Sequence, residues 1–302
     1  MIPHDTIDKL ALCFASLSEL GAQLTEAQWK LQSDCPGWTV QDNLSHIVAY
    51  ESAESGGART SHQAPKFDYV RNPIGEANEN EIDSRRSLTG AQVLSEWNEV
   101  AARRLNLLRT ADESYFSKEV MTPTGPGTTA DFLHIRVLDC WVHEQDMRRA
   151  VGIPGHLSGA AAEHTIDRLI RTVPIVVGKR AATPDGQSVV IDITGGVPRH
   201  IVCTIIDGRA ALVKDEPEAP LSRITLDTGT FLALATGRQT DQRKLKGIGR
   251  GDGALAQAQH PQHGAVVQVA GGVHPRGDGD GHRAQQRRQQ GHQVEEFFRA
   301  PQ

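Results

Sequence analysis

The hydrophobic pattern of this 302-residue chain changes period once, and that change limits the fold more than any single motif. Up to about residue 177, apolar side chains recur every three or four positions, which is one face of a helix; from Ser188 they sit in short β-branched runs, which read as strands. Ile7, Leu10, Phe14, Leu17 and Leu24 mark a first helix. Thr39 caps a second, VQDNLSHIVAYE, with Val40, Leu44, Ile47 and Val48 inward. A third spans Thr89 to Arg109, with Leu94, Trp97, Ala101, Leu105 and Leu108 on its apolar face. The fourth runs from Ala130 to Val151 and stops at Gly152, with Pro154 just beyond. Four such helices predict an antiparallel bundle. Between them, Ser55 to Arg86 holds Gly56, Gly57, Pro65, Pro73 and Gly75 and reads as a long loop, while TPTGPGTT (122–129) reads as a break. Ala160–Val177 is one further helix, followed by strands at 188–194, 200–207, 210–213 and 223–227 and a short helix in TGTFLALATGR. The expected architecture is two domains: a bundle over 1–155, then a small α+β domain with an antiparallel sheet over 157–245.

The end of the chain has a different alphabet. From Arg250 onward there is no Ser, Thr, Asn, Lys, Ile, Tyr, Trp or Cys, and Leu255 is the only leucine. Such a tract lacks the large apolar residues that offset the entropy of ordering, so 246–302 is expected to be a disordered tail or the product of a shifted reading frame. His260, His263, His274, His282 and His292 therefore carry no functional weight. Averaged over the whole chain, the composition is that of a soluble globular protein, 38% apolar and 23% charged. A net charge of -5 gives no reason to expect nucleic acid as a partner. No apolar run is long enough for a membrane span, and MIPHDTIDKL is not a secretion signal. Cys13, Cys35, Cys140 and Cys203 form no CxxC pair, which suits a reducing cytoplasm and argues against a thiolate zinc knuckle.

Chemistry concentrates in the fourth helix, in RVLDCWVHEQDM. Arg136, Asp139, His143, Asp146 and Ala150 form one stripe, a poor core face and a poor random surface. Asp139 and His143 lie one turn apart, so a carboxylate and an imidazole can converge on a divalent metal; the same spacing also suits a solvated ion pair. His46 lies off the apolar stripe of the second helix, grouped with Asn43 and Tyr50. It is either a third ligand, completing the His–carboxylate–His set of catalytic zinc sites, or a half-buried histidine bonded to a backbone carbonyl. Trp38, Trp141 and Cys140 read as core, and Cys35 as a cysteine next to a proline with no neighbouring base. No phosphate loop or nucleophile elbow is present.

CPGWTVQDNLSHIVAYE (35–51), NENEIDSRR (78–86) and GPGTTADFLHIRVLDCWVHEQDMRRAVGIPG (125–155) resemble the mycothiol-dependent maleylpyruvate isomerase family, part of the DinB-like group of metal-binding four-helix bundles. The resemblance covers about residues 5–155; more weakly, 157–238 is similar to that family's sterol-carrier-protein-like domain. It implies zinc held by His46, Asp139 and His143, with mycothiol as the thiol cosubstrate. Active family members have Glu where this chain has Asp139, one methylene shorter. The ending LALATGR resembles the helix end that presents an arginine to the site, here Arg238; Arg238 and Arg136 are expected to neutralise a substrate carboxylate, and Asp146 to support His143. The implied activity is a cytoplasmic thiol transferase or cis–trans isomerase acting on a small electrophile. A zinc-dependent hydrolase on the same bundle, or a metal-stabilised binding protein without turnover, are the competing readings.

Overall fold

A computed structural model describes residues 1–238 and the strand Lys246–Gly249. The chain divides into two compact units after His156. The first contains α1 (His4–Gly21), α2 (Glu26–Trp29), α3 (Val40–Ala53), α4 (Pro73–Asp83), α5 (Gly90–Thr110), α6 (Glu113–Ser117), β1 (Glu119–Thr122), β2 (Gly125–Thr128) and α7 (Thr129–Val151).

Local chemistry sets the helix ends. α3, α5 and α7 start at Thr39, Thr89 and Thr128. In each, the threonine hydroxyl accepts an N–H three residues on, and the side chain there (Asp42, Gln92, Asp131) accepts the threonine's own N–H. α7 ends at Gly152 in the left-handed region, φ 68°, as the Gly–Pro signal predicts. The four long helices close into a ring, α1 against α5 and α7, and α3 against the same two. Leu10, Phe14, Leu17, Leu44, Ile47, Trp97 and Leu108 fill it. Burial of each large apolar side chain contributes about 1.5–3 kcal/mol. α7 departs from the usual one-sided helix, because Arg136, His143, Glu144, Gln145, Asp146 and Arg148 are buried along with its apolar residues.

Two segments differ from the sequence reading. The loop expected over 55–86 contains α4, started by Asn72 as N-cap and Pro73 in its first turn. Its only large apolar residues are Ile74 and Ile82, so no 3.6-residue stripe betrays it. The break at 122–129 is the turn and second strand of a hairpin, with Glu119 opposite Thr128 and Thr122 opposite Gly125.

The second unit holds α8 (Ala160–Ile170), α9 (Val173–Ile175), a π-turn at Val176–Arg180, β3 (Ser188–Thr194), β4 (Arg199–Ile206), β5 (Arg209–Val213), β6 (Ser222–Asp227), α10 (Thr228–Ala235) and β7 (Lys246–Gly249). The helix expected over 160–177 breaks after Ile170, ahead of Pro174. The sheet order is β5-β4-β3-β6-β7. The antiparallel sheet expected from the sequence is corrected here: β3 pairs in parallel with β6, Val190 opposite Arg223 and Ile193 opposite Leu226, so the sheet is mixed. Apolar alternation fixes which face a strand buries, not its direction. The connection after β5, with Pro217 and Pro220, returns the chain to the far side of β3. Lys246–Gly249, the start of the segment expected as a tail, pairs with β6; 250–302, with its two expected explanations, lies outside the described residues. Among the described residues no helix is long and apolar enough to cross a membrane.

Candidate metal centre

α3 and α7 lie side by side and bring three side chains together. His46 Nε2 is 3.2 Å from Asp139 Oδ2, and His143 Nε2 is 3.6 Å from Asp139 Oδ1. The imidazole centroids are 4.9 Å apart, and one donor atom from each of the three residues lies within 4.8 Å of the others. Donors on a tetrahedral zinc with bonds of 2.0–2.2 Å stand about 3.4 Å apart. Each imidazole–carboxylate separation is close to that spacing, though to different carboxylate oxygens, and the donor set of two imidazoles and a carboxylate has the chemistry for a divalent cation.

The proton of His143 is placed by its neighbours. Asn43 Nδ2 donates to Ser33 Oγ and to the Thr39 carbonyl, both at 2.8 Å, which leaves Asn43 Oδ1 as the atom facing His143 Nδ1 at 2.9 Å. Asp146 Oδ2 stands 3.2 Å from the same nitrogen. With two acceptors before it, Nδ1 carries the hydrogen, and the lone pair of Nε2 is left on the Asp139 side. His46 differs. Its Nδ1 is buried without a hydrogen-bond partner among the described residues, and its Nε2 meets a carboxylate rather than a backbone carbonyl. Burial pushes the His46 pKa down, with Asp139 opposing, and the net effect favours the neutral form that ligates metals.

Asp139 is held as an anion. Burial alone would raise its pKa, but Arg136 foremost, then His46 and His143, drive it well below the usual carboxylate range. Arg136 Nη1 donates to Asp139 Oδ2 at 2.8 Å, and Arg136 Nε to Glu51 Oε1 at 2.7 Å. Glu51 also takes Arg104 Nε at 3.2 Å, in a pair with no exposure. Trp38 walls the site, its ring 5.2 Å from that of His46 and 5.7 Å from that of His143. Its Nε1 donates to Glu79 Oε2 on α4 at 3.1 Å. The turn that presents Trp38 depends on Gly37, at φ 74°, where a Cβ would come within 2.3 Å of Tyr69.

Residues 10–148 match the family of the mycothiol maleylpyruvate isomerase N-terminal domain. This segment belongs to that family. The chain is also similar to the crystal structure of the mycothiol-dependent maleylpyruvate isomerase, at 18% identity and a TM-score of 0.52, over 81% of this chain and 92% of that one. A histidine-to-alanine mutant of that isomerase is similar at 17% identity and a TM-score of 0.50, with the same coverage. At these identities the likeness is one of fold. No curated protein matches the chain.

Within this isomerase-family domain, several expected roles change. Arg136 was expected at a substrate carboxylate, yet it is buried, and its donors go to Glu51, Asp139 and the Cys140 sulfur. Its stripe faces Glu51 of α3, a neighbour that spacing along α7 does not reveal. Cys35 is fully buried, its thiol 3.2 Å from Asp146 Oδ2 and 3.9 Å from His143 Nδ1, so it completes the group behind His143. Trp38 is buried as expected of core, but against the two imidazoles. Asn43 and Tyr50, grouped with His46 by helical phase, do meet the site: Asn43 through His143, Tyr50 through a ring contact with His46 at 5.0 Å. Glu51 and Glu79 gave no local signal: the partners of Glu51 lie on α5 and α7, and those of Glu79, namely Trp38, Tyr69 and Arg86, on the connections around α3 and α4. Arg238 belongs to the second unit, where it is buried and donates to the Thr236 carbonyl at 2.6 Å.

Proposed function

We propose that this chain is a zinc-dependent enzyme that uses mycothiol to isomerise or conjugate small electrophilic or unsaturated acids. The observation that carries the reading is the meeting of His46 Nε2, the Asp139 carboxylate and His143 Nε2, three protein donors of the kind found in catalytic rather than structural zinc sites. The family of residues 10–148 supports it.

His46, Asp139 and His143 would hold the ion. Zinc bound there would supply Lewis acidity that lowers a thiol's pKa into the neutral range. Asn43 and Asp146 keep His143 oriented with its proton on Nδ1. Arg136 keeps Asp139 ionised and fixed. A thiolate so formed would add to the conjugated double bond to give an enolate, whose new single bond can rotate; loss of the same thiolate would restore the double bond in the other geometry, whereas in a transferase the enolate would take a proton from solvent and the thioether would be kept.

Elemental analysis tests the ligand set: wild type is expected to hold about one zinc per chain, and His46→Ala and His143→Ala almost none. Equal, low zinc in all three removes the site. Consumption of chlorodinitrobenzene and conversion of a cis-enoic acid, each measured with and without mycothiol, test the reaction. If zinc is bound while the thiol changes neither turnover nor Tm, the thiol-transfer reading falls.

A further inference from the structure

Tyr50 follows His46 by one helical turn, so their rings meet edge to face, centroids 5.0 Å apart. Two guanidinium groups stand over the Tyr50 ring, Arg136 at 4.7 Å and Arg59 at 5.4 Å. They differ in what their donors do. Those of Arg136 are spent on Glu51, Asp139 and Cys140 inside the bundle. Arg59, exposed on the stretch between α3 and α4, makes no hydrogen bond or ion pair among the described residues, and neither does the Tyr50 hydroxyl. Two cations sharing one ring repel each other; Glu51 and Asp139 compensate Arg136, while no acidic group among the described residues is paired with Arg59.

The placement of Arg59 is built by the chain. Gly56, at φ 84°, and Gly57, whose N–H donates to the Ser52 carbonyl at 2.8 Å, turn the backbone at the end of α3 and send it back along that helix. A Cβ at Gly57 would come within 2.2 Å of Ser52 Oγ, so the return needs glycine there. Contact with the ring limits the orientations of the guanidinium before any ligand arrives.

We propose that Arg59 and Tyr50 form a carboxylate subsite beside the His46–Asp139–His143 triad, which takes one carboxylate of the small acid. This deepens the function proposed above and rests on it for the ligand's identity. Arg59 offers two parallel N–H donors to the two oxygens of a carboxylate, and the phenol offers a third donor. Neither residue exchanges protons or electrons with the substrate; both are specificity-determining.

The test is calorimetric binding of maleate to the zinc-loaded full chain, with zinc measured in every variant. Wild type is expected to bind. Arg59→Ala is expected to raise the Kd about tenfold, Arg59→Lys less because the ammonium keeps the charge while losing bidentate pairing, and Tyr50→Phe about threefold. Arg109→Ala, at the exposed end of α5, controls for net charge and is expected to leave the Kd unchanged. No maleate binding to wild type, an unaltered Kd in Arg59→Ala, or an equal loss in Arg109→Ala overturns the subsite. Arg59-dependent maleate binding without thiol-driven turnover sustains the subsite and removes the function proposed above.

Discussion

The two units each contain an aspartate gripped by a histidine and an arginine. In the first, Asp139 has His46 at 3.2 Å and Arg136 at 2.8 Å; in the second, Asp192 has His200 at 2.7 Å and Arg223 at 2.6 Å. All four contacts are within ion-pair range. What differs is convergence and burial. Around Asp139 two imidazoles from different helices each turn one nitrogen toward the same carboxylate. His200 instead turns Nδ1 to Asp192 and Nε2, at 3.1 Å, to Glu216, so its nitrogens serve two acids on opposite sides. The His46 side chain is 7% exposed and that of His200 47%. An exposed bridge across strands β4, β3 and β6 pins register; a buried convergence leaves room for a cation. Residue type and spacing alone do not separate the two.

The contrast is sharpest in stability. Glu51→Gln leaves Arg104 and Arg136 buried with one acid fewer, and a loss of about 3–5 kcal/mol is expected in urea unfolding. Glu216→Gln, on the exposed network, is expected to cost at most about 1 kcal/mol. Similar losses from both substitutions would break the comparison.

A smaller effect is expected behind the triad. Asn43→Leu removes the acceptor facing His143 Nδ1 and is expected to weaken zinc binding about 10–100-fold in competition with a chromophoric chelator. Histidine ¹⁵N shifts are expected to show His143 protonated on Nδ1 in the wild type and a mixture of tautomers in the variant. An unmoved affinity would return Asn43 to mere packing.

The smallest effect lies in pH. The pKa of His46 is depressed below its ordinary 6.5, mainly by burial, so the unfolded chain binds this proton more readily than the folded one. Its contribution is present above about pH 6.5 and is lost as pH falls toward the folded value. Burial raises the Asp192 pKa, but His200 and then Arg223 bring it net below its ordinary 3.8; its contribution fades only as pH falls below about 3.8. Metal-free protein is therefore expected to loosen first in the first unit on acidification. All four tryptophans, Trp29, Trp38, Trp97 and Trp141, lie in that unit, so tryptophan fluorescence follows it alone. A Tm by fluorescence that holds steady from pH 7 to 5 would contradict the assignment.

Much of the first unit was legible because its signals are local. Thr39 announces a helix start, Gly152 a stop, and the four-residue step from Asp139 to His143 sets a shared face. The phase of Asn43, His46 and Tyr50 on α3 grouped one donor of the site with two of its neighbours. What escaped depends on contacts distant in sequence. α4 carries too few apolar residues to show a period, although Asn72-Pro73 marks its start. The role of Arg136 turned on Glu51, the burial of Cys35 on Asp146, and the direction of β6 on a proline-bearing connection. None of these is encoded within one helical turn or one strand.

The Asp139–Arg136 pair has a bearing on how such a protein is made. Because the carboxylate already has a permanent counter-charge from its own helix, with Glu51 balancing the arginine in turn, the bundle does not require an ion to cancel repulsion while it assembles. Zinc-finger modules, by contrast, collapse only once loaded. Any ion taken up here can follow completion of the chain, so that supply of the trace element would set how much of the folded stock is loaded, not how much of it forms.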